Sequence, residues 1–244
     1  MIRRMPIVAL TLRGLVDRRR FWLMVLLAAV PVLIALIDRF FGEGVGGEEI
    51  FDPLIVSTVL PLIALVFGTA ALGSELEDGT IVFLLTKPIR RVRVTFAKGV
   101  TATALVMALV VPATVLTGVI IDADRGSADQ ATLAYALAVA FGAAAYAIAF
   151  LALSAFTSRA LAAGLAYILL WEGVLAGLFE GTKTFSIRQA TLGLAAQLQE
   201  AIGGVTPVGG SGSGSALVVL VAVILGALAL ATWRLSRFQL SGGD

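Results

Sequence analysis

Six long apolar runs constrain the fold of this 244-residue chain more than any other feature. Each run has roughly the 20 residues that a helix needs to cross about 30 Å of hydrocarbon. Because lipid offers the backbone no hydrogen-bond partners, the runs are predicted to be transmembrane helices; the strands of a barrel would alternate polar and apolar residues. The fold class predicted is an all-α membrane protein with six transmembrane helices. The runs lie at residues 21–37, 53–73, 99–121, 131–156, 160–179 and 216–233.

The composition excludes several classes of protein. Hydrophobic residues make up 59% of the chain and charged residues only 14%, whereas about a quarter of a soluble globular chain is charged. The chain has no cysteine and no histidine, which excludes thiolate or imidazole metal sites and histidine-dependent nucleophilic catalysis. The net charge of +2 gives no support to nucleic-acid binding. We therefore expect no metal and no nucleic-acid partner.

Basic residues are concentrated on one side of the predicted membrane helices. With the N-terminus placed in the cytoplasm, 14 of the 18 Lys and Arg residues lie in cytoplasmic segments and 4 lie outside. The positive-inside rule then predicts that both termini are cytoplasmic. Residues 1–244 are thus predicted to form one multi-pass domain of the cell membrane, with the lipid bilayer as one of its partners.

The first twenty residues, 1–20, mix apolar and basic positions ahead of the first run. Their pattern predicts a short cytoplasmic helix lying in the membrane interface, and an unstructured basic tail is the alternative. The apolar part begins only after three arginines, and no small-residue cleavage pattern follows it. We therefore expect no cleaved signal peptide.

A densely charged stretch, residues 74–98, separates the second run from the third. Ser74-x-x-Glu77 matches the capping box of a helix start, and Pro88 ends the predicted helix after about three turns. The charge distribution predicts that this helix is cytoplasmic. An ordinary capped helix, followed by basic residues that only set the topology, is the alternative.

The same stretch resembles the ABC type-2 permease family. The residues that carry the resemblance are G-S-E-x-E-x-G-T at 73–80, L-L-T-K-P-I-x-R at 84–91 and A-K at 97–98. The resemblance implies that residues 74–98 form a coupling region, whose helix docks into a cleft on a separate ATP-hydrolysing subunit. The residues expected at that contact are Glu75, Glu77, Asp78, Gly79 and Thr80.

The resemblance also implies the partners of the chain. The sequence contains no G-x-x-x-x-G-K-S/T phosphate loop, so we expect this chain to bind no cofactor and to have no ATPase activity of its own. ATP and Mg²⁺ are expected on the partner ATPase, in two copies. A second permease copy is expected as well, in a homodimer or a paralogous heterodimer.

The function implied is that of an exporter permease, which moves a hydrophobic or amphipathic substrate across the membrane. Two alternatives remain open: an accessory or assembly membrane protein, and an intramembrane enzyme that modifies lipid. The enzyme would require several convergent acids or polar groups within the helices. Only one acid, Glu172, lies clearly inside an apolar run.

Glu172 is the most informative residue of the fifth run, because an ionisable side chain within lipid usually faces a cavity or a partner. Tyr167 and Trp171 precede it closely. These three residues are predicted to line a substrate path. The alternative is that Glu172 reaches the headgroup layer and that the aromatic residues belong to an interfacial belt.

Residues 180–215 are predicted to form an external helix and loop. Ser186-x-x-Gln189 matches a second capping box, and apolar residues recur at helical spacing up to Ile202. The helix is too polar for another crossing, and is predicted to be amphipathic on the outer side. Members of the exporter-type family similarly carry outer re-entrant helices there. The Gly- and Ser-rich segment that follows is predicted to be a flexible loop.

Overall fold

A computed structural model describes residues 18–41, 50–77, 91–122, 130–175, 186–202 and 216–236. The described residues form seven α-helices and two π-helices, and no strand occurs among them. In chain order the elements are α1 (Arg18–Phe41), π1 (Phe51–Val59), α2 (Leu60–Glu77), α3 (Arg91–Asp122), α4 (Gln130–Phe156), α5 (Ala160–Ala166), π2 (Tyr167–Leu175), α6 (Ile187–Ile202) and α7 (Ala216–Ser236).

Five of the six predicted spans are helices long and apolar enough to cross a membrane. They are α1, π1 with α2, α3, α4 and α7. The remaining run, formed by α5 and π2, is a shorter apolar helix at Ala160–Val174 within the described residues. The all-α membrane fold is thus confirmed, and the six-span layout stays a prediction.

Helix α4 lies at the centre of the bundle, where it contacts α2, α3, α5, α6 and α7. Its buried positions include eight alanines and Gly142. Small side chains let helix backbones approach closely, which is the main source of packing energy between helices in lipid. A Cβ atom on Gly142 would lie 2.7 Å from Thr191 Oγ1 of α6. The small residues of α4 therefore decide how closely α6 can pack against the bundle.

The two ends of the bundle carry different sets of charged residues. Thr132 donates a hydrogen bond to Asp122 at 3.1 Å, where α3 ends and α4 begins. At the opposite end of α4, the Arg234 guanidinium lies 5.8 Å from the Phe156 ring centroid. We call the first end, with Asp52, Asp122 and Glu172, the acidic end, and the second, with Arg20, Arg93, Arg159 and Arg234, the basic end.

The predicted helix start at Ser74 is wrong. Helix α2 runs without a break from Leu60 to Glu77, so Ser74 lies in its last turns. The capping box is a local preference, and the apolar second run continues the backbone hydrogen bonding of α2 through it. Two of the predicted coupling residues, Glu75 and Glu77, therefore belong to the end of α2. The other three, Asp78, Gly79 and Thr80, lie outside the described residues, as do 1–17 of the predicted interfacial helix.

Lys98 occupies an unexpected place near the start of α3. The residue was counted with the basic residues of the cytoplasmic side, and its side chain is only 1% exposed. Its Nζ donates a hydrogen bond to the Ala71 carbonyl of α2 at 2.7 Å. A buried ammonium needs such partners, because removal from water is costly. Lys98 thus joins α2 to α3 at the basic end.

Candidate functional site

The polar residues of the acidic end converge where π1 and π2 meet the beginning of α6. Each of these elements brings at least one charged or hydroxyl side chain to the others. We call this cluster the polar junction. It consists of Asp52 and Ser57 from π1, Tyr167 and Glu172 from π2, and Ser186 and Arg188 at the start of α6.

The two π-helices bring together side chains that are five residues apart. Ser57 donates a hydrogen bond to Asp52 Oδ1 at 2.9 Å, and the Tyr167 hydroxyl donates to Glu172 Oε1 at 2.9 Å. A π-helix places residues i and i+5 on one face because its backbone hydrogen bonds span five residues, and such segments are frequent at functional sites. Pro61 lies two residues after the end of π1 at Val59. In an α-helix its ring would collide with the carbonyl four residues earlier, and the wider turn relieves that contact. No residue of π2 offers the same explanation.

Glu172 is buried and accepts three hydrogen bonds. The residue is 4% exposed. Its carboxylate accepts from the Tyr167 hydroxyl, from the Ile187 N–H at 3.1 Å and from the Ser186 hydroxyl. A buried charge is tolerated only when such donors replace water. The donors at 186 and 187 lie at the N-terminus of α6, where the helix dipole also favours a negative charge.

Ser186 is the N-cap of α6, as the second capping box predicted. Its Oγ accepts a hydrogen bond from the Gln189 N–H at 3.1 Å and donates one to Glu172. The same hydroxyl therefore begins α6 and joins the helix to π2. Helix α6 lies in the segment where the amphipathic helix was predicted, and its buried face packs against α4. Its placement on the outer side stays a prediction.

Asp52 of π1 contacts the same first turn of α6. Arg188 and Asp52 form an ion pair with 3.1 Å between Nη2 and Oδ1. Their side chains are 27% and 39% exposed, so solvent weakens the attraction between them. The beginning of α6 is thus held by two carboxylates, one from each π-helix.

We expect the Asp52–Arg188 pair to contribute about 0.5 kcal/mol to the free energy of unfolding, because partly exposed ion pairs are screened. A double-mutant cycle of Asp52→Ala and Arg188→Ala, followed by unfolding in detergent, measures this coupling. The control cycle pairs Asp52→Ala with Arg93→Ala, whose side chain lies at the basic end, and should be additive. A coupling above about 2 kcal/mol would mean that the pair behaves as a buried one.

The structure brings together two of the three residues that were predicted to line a substrate path. Tyr167 and Glu172 are hydrogen-bonded, whereas no hydrogen bond joins Trp171 to the residues described around it, and its side chain is half-buried. The role of the three residues in a path stays a prediction. The sequence interpretation missed Asp52 and Arg188, although their opposite charges on the same predicted side of the membrane were a usable signal.

Neither end of the bundle offers a metal site within the ranges that the structure describes. No group of three or more Asp, Glu, His or Cys side chains is close enough there to hold a metal ion. The carboxylates of Glu172 and Asp52 are instead occupied by donors of the protein itself. The polar junction is therefore built to position α6 against the two π-helices.

Comparison with known proteins gives a family match that covers nearly the whole chain, including the polar junction. A family model described as "ABC-2 family transporter protein" matches residues 5–240. None of the curated proteins compared with the chain is a significant match. The family match includes all the described helices, so it extends far beyond the charged stretch 74–98 that carried the resemblance.

Proposed function

The chain belongs to the ABC-2 family of transporter proteins, and on that premise we propose that it is the transmembrane permease subunit of an exporter. Its substrate is hydrophobic or amphipathic. The observation that carries the proposal is the family match over residues 5–240, which includes five helices of membrane-spanning length and composition.

The permease works with a separate ABC ATPase, two copies of which bind ATP and Mg²⁺, and with a second permease copy. The absence of a phosphate loop from this sequence supports a separate motor. The contact with the ATPase is made by the charged stretch, through Glu75, Glu77, Asp78, Gly79 and Thr80. Three of these residues are acidic and match a basic or amide-lined cleft on the partner.

The orientation follows from the charge distribution. Both termini and the basic end of the bundle face the cytoplasm, and the acidic end faces outward, in a six-span layout. The 14-to-4 division of basic residues supports this orientation. The charged stretch and the cytoplasmic ATPase then lie on the same side.

Helix α2 provides a route by which movement at the ATPase reaches the acidic end. Glu77 ends α2, and Lys98 joins α2 to α3 near that end. At its other end α2 continues into π1, where Asp52 contacts Arg188 of α6. A displacement of α2 along its axis therefore changes the geometry of the polar junction, because packed helices move as rigid elements.

The experiment that tests this proposal measures ATP hydrolysis by the purified chain, alone and after co-expression with ABC ATPases from the same genome. We expect no hydrolysis by the chain alone and a stable complex with one ATPase. In that complex, Glu77→Gln with Asp78→Asn should lower substrate-stimulated hydrolysis about tenfold, because a charge-assisted contact is lost. Expression should stay normal.

The matched control is Glu200→Gln, which removes an exposed acid at the far end of α6 and should leave hydrolysis unchanged. Robust ATPase activity of the chain alone would contradict the proposed function. Normal coupling in the Glu77/Asp78 variant would remove these two acids from the ATPase contact while leaving the permease assignment intact.

A further inference from the structure

A cavity of about 600 Å³ opens at the basic end of the bundle. It lies between the start of α1, the last turns of α2 and the turn that joins α4 to α5, and Arg20 and Arg159 line it. Its volume is within the range of about 300–1,000 Å³ that is usual for small-molecule sites. The cavity is thus large enough for the polar part of an amphiphile.

The charged residues that the structure places in the cavity wall are both basic. Arg20 and Arg159 are exposed, and among the described side chains no acidic residue lines the cavity with them. None of the acidic side chains that the structure describes pairs with either guanidinium. Two like charges that face one cavity repel each other, and a bound anion would relieve that repulsion. The planar guanidinium, with its five donors, matches phosphate oxygens especially well.

The backbone that carries Arg159 is held in place by local hydrogen bonds. The Arg159 N–H donates to Thr157 Oγ1 at 3.2 Å, and the Arg159 carbonyl accepts from the Ala163 N–H at 3.0 Å. Thr157 in turn donates its own N–H to the Leu153 carbonyl at 3.2 Å. The turn therefore presents Arg159 to the cavity from a defined position, which lowers the entropy lost on binding.

Apolar residues make up most of the remaining cavity lining, beside Thr69 and Ser158. Leu23 of α1 is 59% exposed and Leu161 of α5 is 54% exposed, and both line the cavity. Such leucines next to exposed arginines form a surface with a charged part and a hydrocarbon part. A soluble anion would use only the arginines, whereas a phospholipid would use both parts.

From this combination we propose that the cavity is a binding site for an anionic phospholipid of the leaflet at the basic end. The headgroup phosphate accepts hydrogen bonds from Arg20 and Arg159, and an acyl chain packs along Leu23 and Leu161. In the orientation proposed above, this is the cytoplasmic leaflet, whose anionic lipids attract basic side chains. Binding of the lipid requires neither the ATPase nor a transport substrate, so it can fail or succeed independently of the proposed function.

The test measures retention of lipid by the purified full chain in nanodiscs that contain phosphatidylcholine with a minor fraction of labelled phosphatidylglycerol. Arg20→Gln and Arg159→Gln should each weaken phosphatidylglycerol binding about fivefold, and the double variant about 25-fold. Because both side chains are exposed, the variants should fold normally. Lysine at either position keeps the charge and should retain binding within about threefold.

Two controls decide between this site and general charge attraction. Arg93→Gln removes an exposed arginine at the basic end but outside the cavity, and it should leave binding unchanged. Glycerol phosphate, which has the charge without the acyl chains, should not compete at equal concentration. Unchanged binding in the double variant, an equal loss in Arg93→Gln, or full competition by glycerol phosphate would each overturn the phospholipid site.

Discussion

Replacement of Glu172 by leucine should lower the free energy of unfolding of the bundle by about 3 kcal/mol. The carboxylate accepts hydrogen bonds from Tyr167, Ser186 and the Ile187 N–H, and leucine would leave these donors unpaired in a buried place. Each unpaired buried polar group costs about 1–3 kcal/mol, part of which the added apolar contact offsets. Unfolding of the purified chain in detergent measures the change.

Glu172→Gln is the matched variant, because glutamine keeps the acceptor oxygen for Tyr167 and Ile187 but loses the charge and the second acceptor, which serves Ser186. We expect it to cost about 1 kcal/mol. Trp171→Phe, a change at the half-buried neighbour that takes no part in these hydrogen bonds, should cost less than either variant. Equal stability of the leucine variant and the native chain would show that the polar junction does not hold α6.

Replacement of Gly68 by alanine should cost about 2 kcal/mol, the second largest effect that we expect. A Cβ atom there would lie 2.7 Å from the Ala147 carbonyl oxygen and 2.9 Å from Phe150 Cβ. Neither atom belongs to a flexible side-chain end, so α2 and α4 would have to move apart, and overpacking of this kind costs about 1–3 kcal/mol. The measurement is again unfolding of the purified chain in detergent.

Gly226 of α7 provides the control for the glycine itself. No heavy atom lies within 4 Å of a Cβ built on Gly226, so Gly226→Ala should raise the free energy of unfolding by about 0.5–1 kcal/mol, the gain in helix propensity alone. Both glycines lie in helices, so helix propensity affects the two variants alike. The difference between their free energies of unfolding therefore measures the contact between α2 and α4. Similar effects at the two positions would contradict the close approach of α2 to α4.

The bounds of the helices differ from the apolar runs for a physical reason. Helix α1 extends to Phe41, although its apolar run ends at residue 37. The helix continues past the charged Arg39 because the side chain of Arg39 has a hydrogen-bond partner. Its guanidinium donates to the Ile120 carbonyl at 3.3 Å. Helix α3 likewise begins at Arg91, eight residues before its run. A hydropathy pattern stops at a charge, whereas backbone hydrogen bonding continues wherever the charged side chain finds water or a partner.

The polar junction was predictable only in its local parts. Ser186 was predicted as an N-cap because capping depends on residues within one turn, and Glu172 was noticed because a charge interrupts an apolar run. The pairing of Asp52 with Arg188 joins residues 136 positions apart, which no local pattern reveals. The π-helices were missed as well, since an apolar run of nine residues does not distinguish a π-helix from an α-helix.

The sequence by itself determined that this protein is an all-α membrane protein, that its charged residues are distributed unevenly, and that Ser186 caps the start of α6. These properties depend on hydrophobicity, charge and capping, which act over neighbouring residues. The tertiary structure alone decided that Glu172 contacts the start of α6, that Lys98 is buried against Ala71, and that Arg20 and Arg159 face one cavity. These contacts join helices that are far apart in the sequence, and they depend on how closely those helices pack. The small residues of α4 allow that close packing.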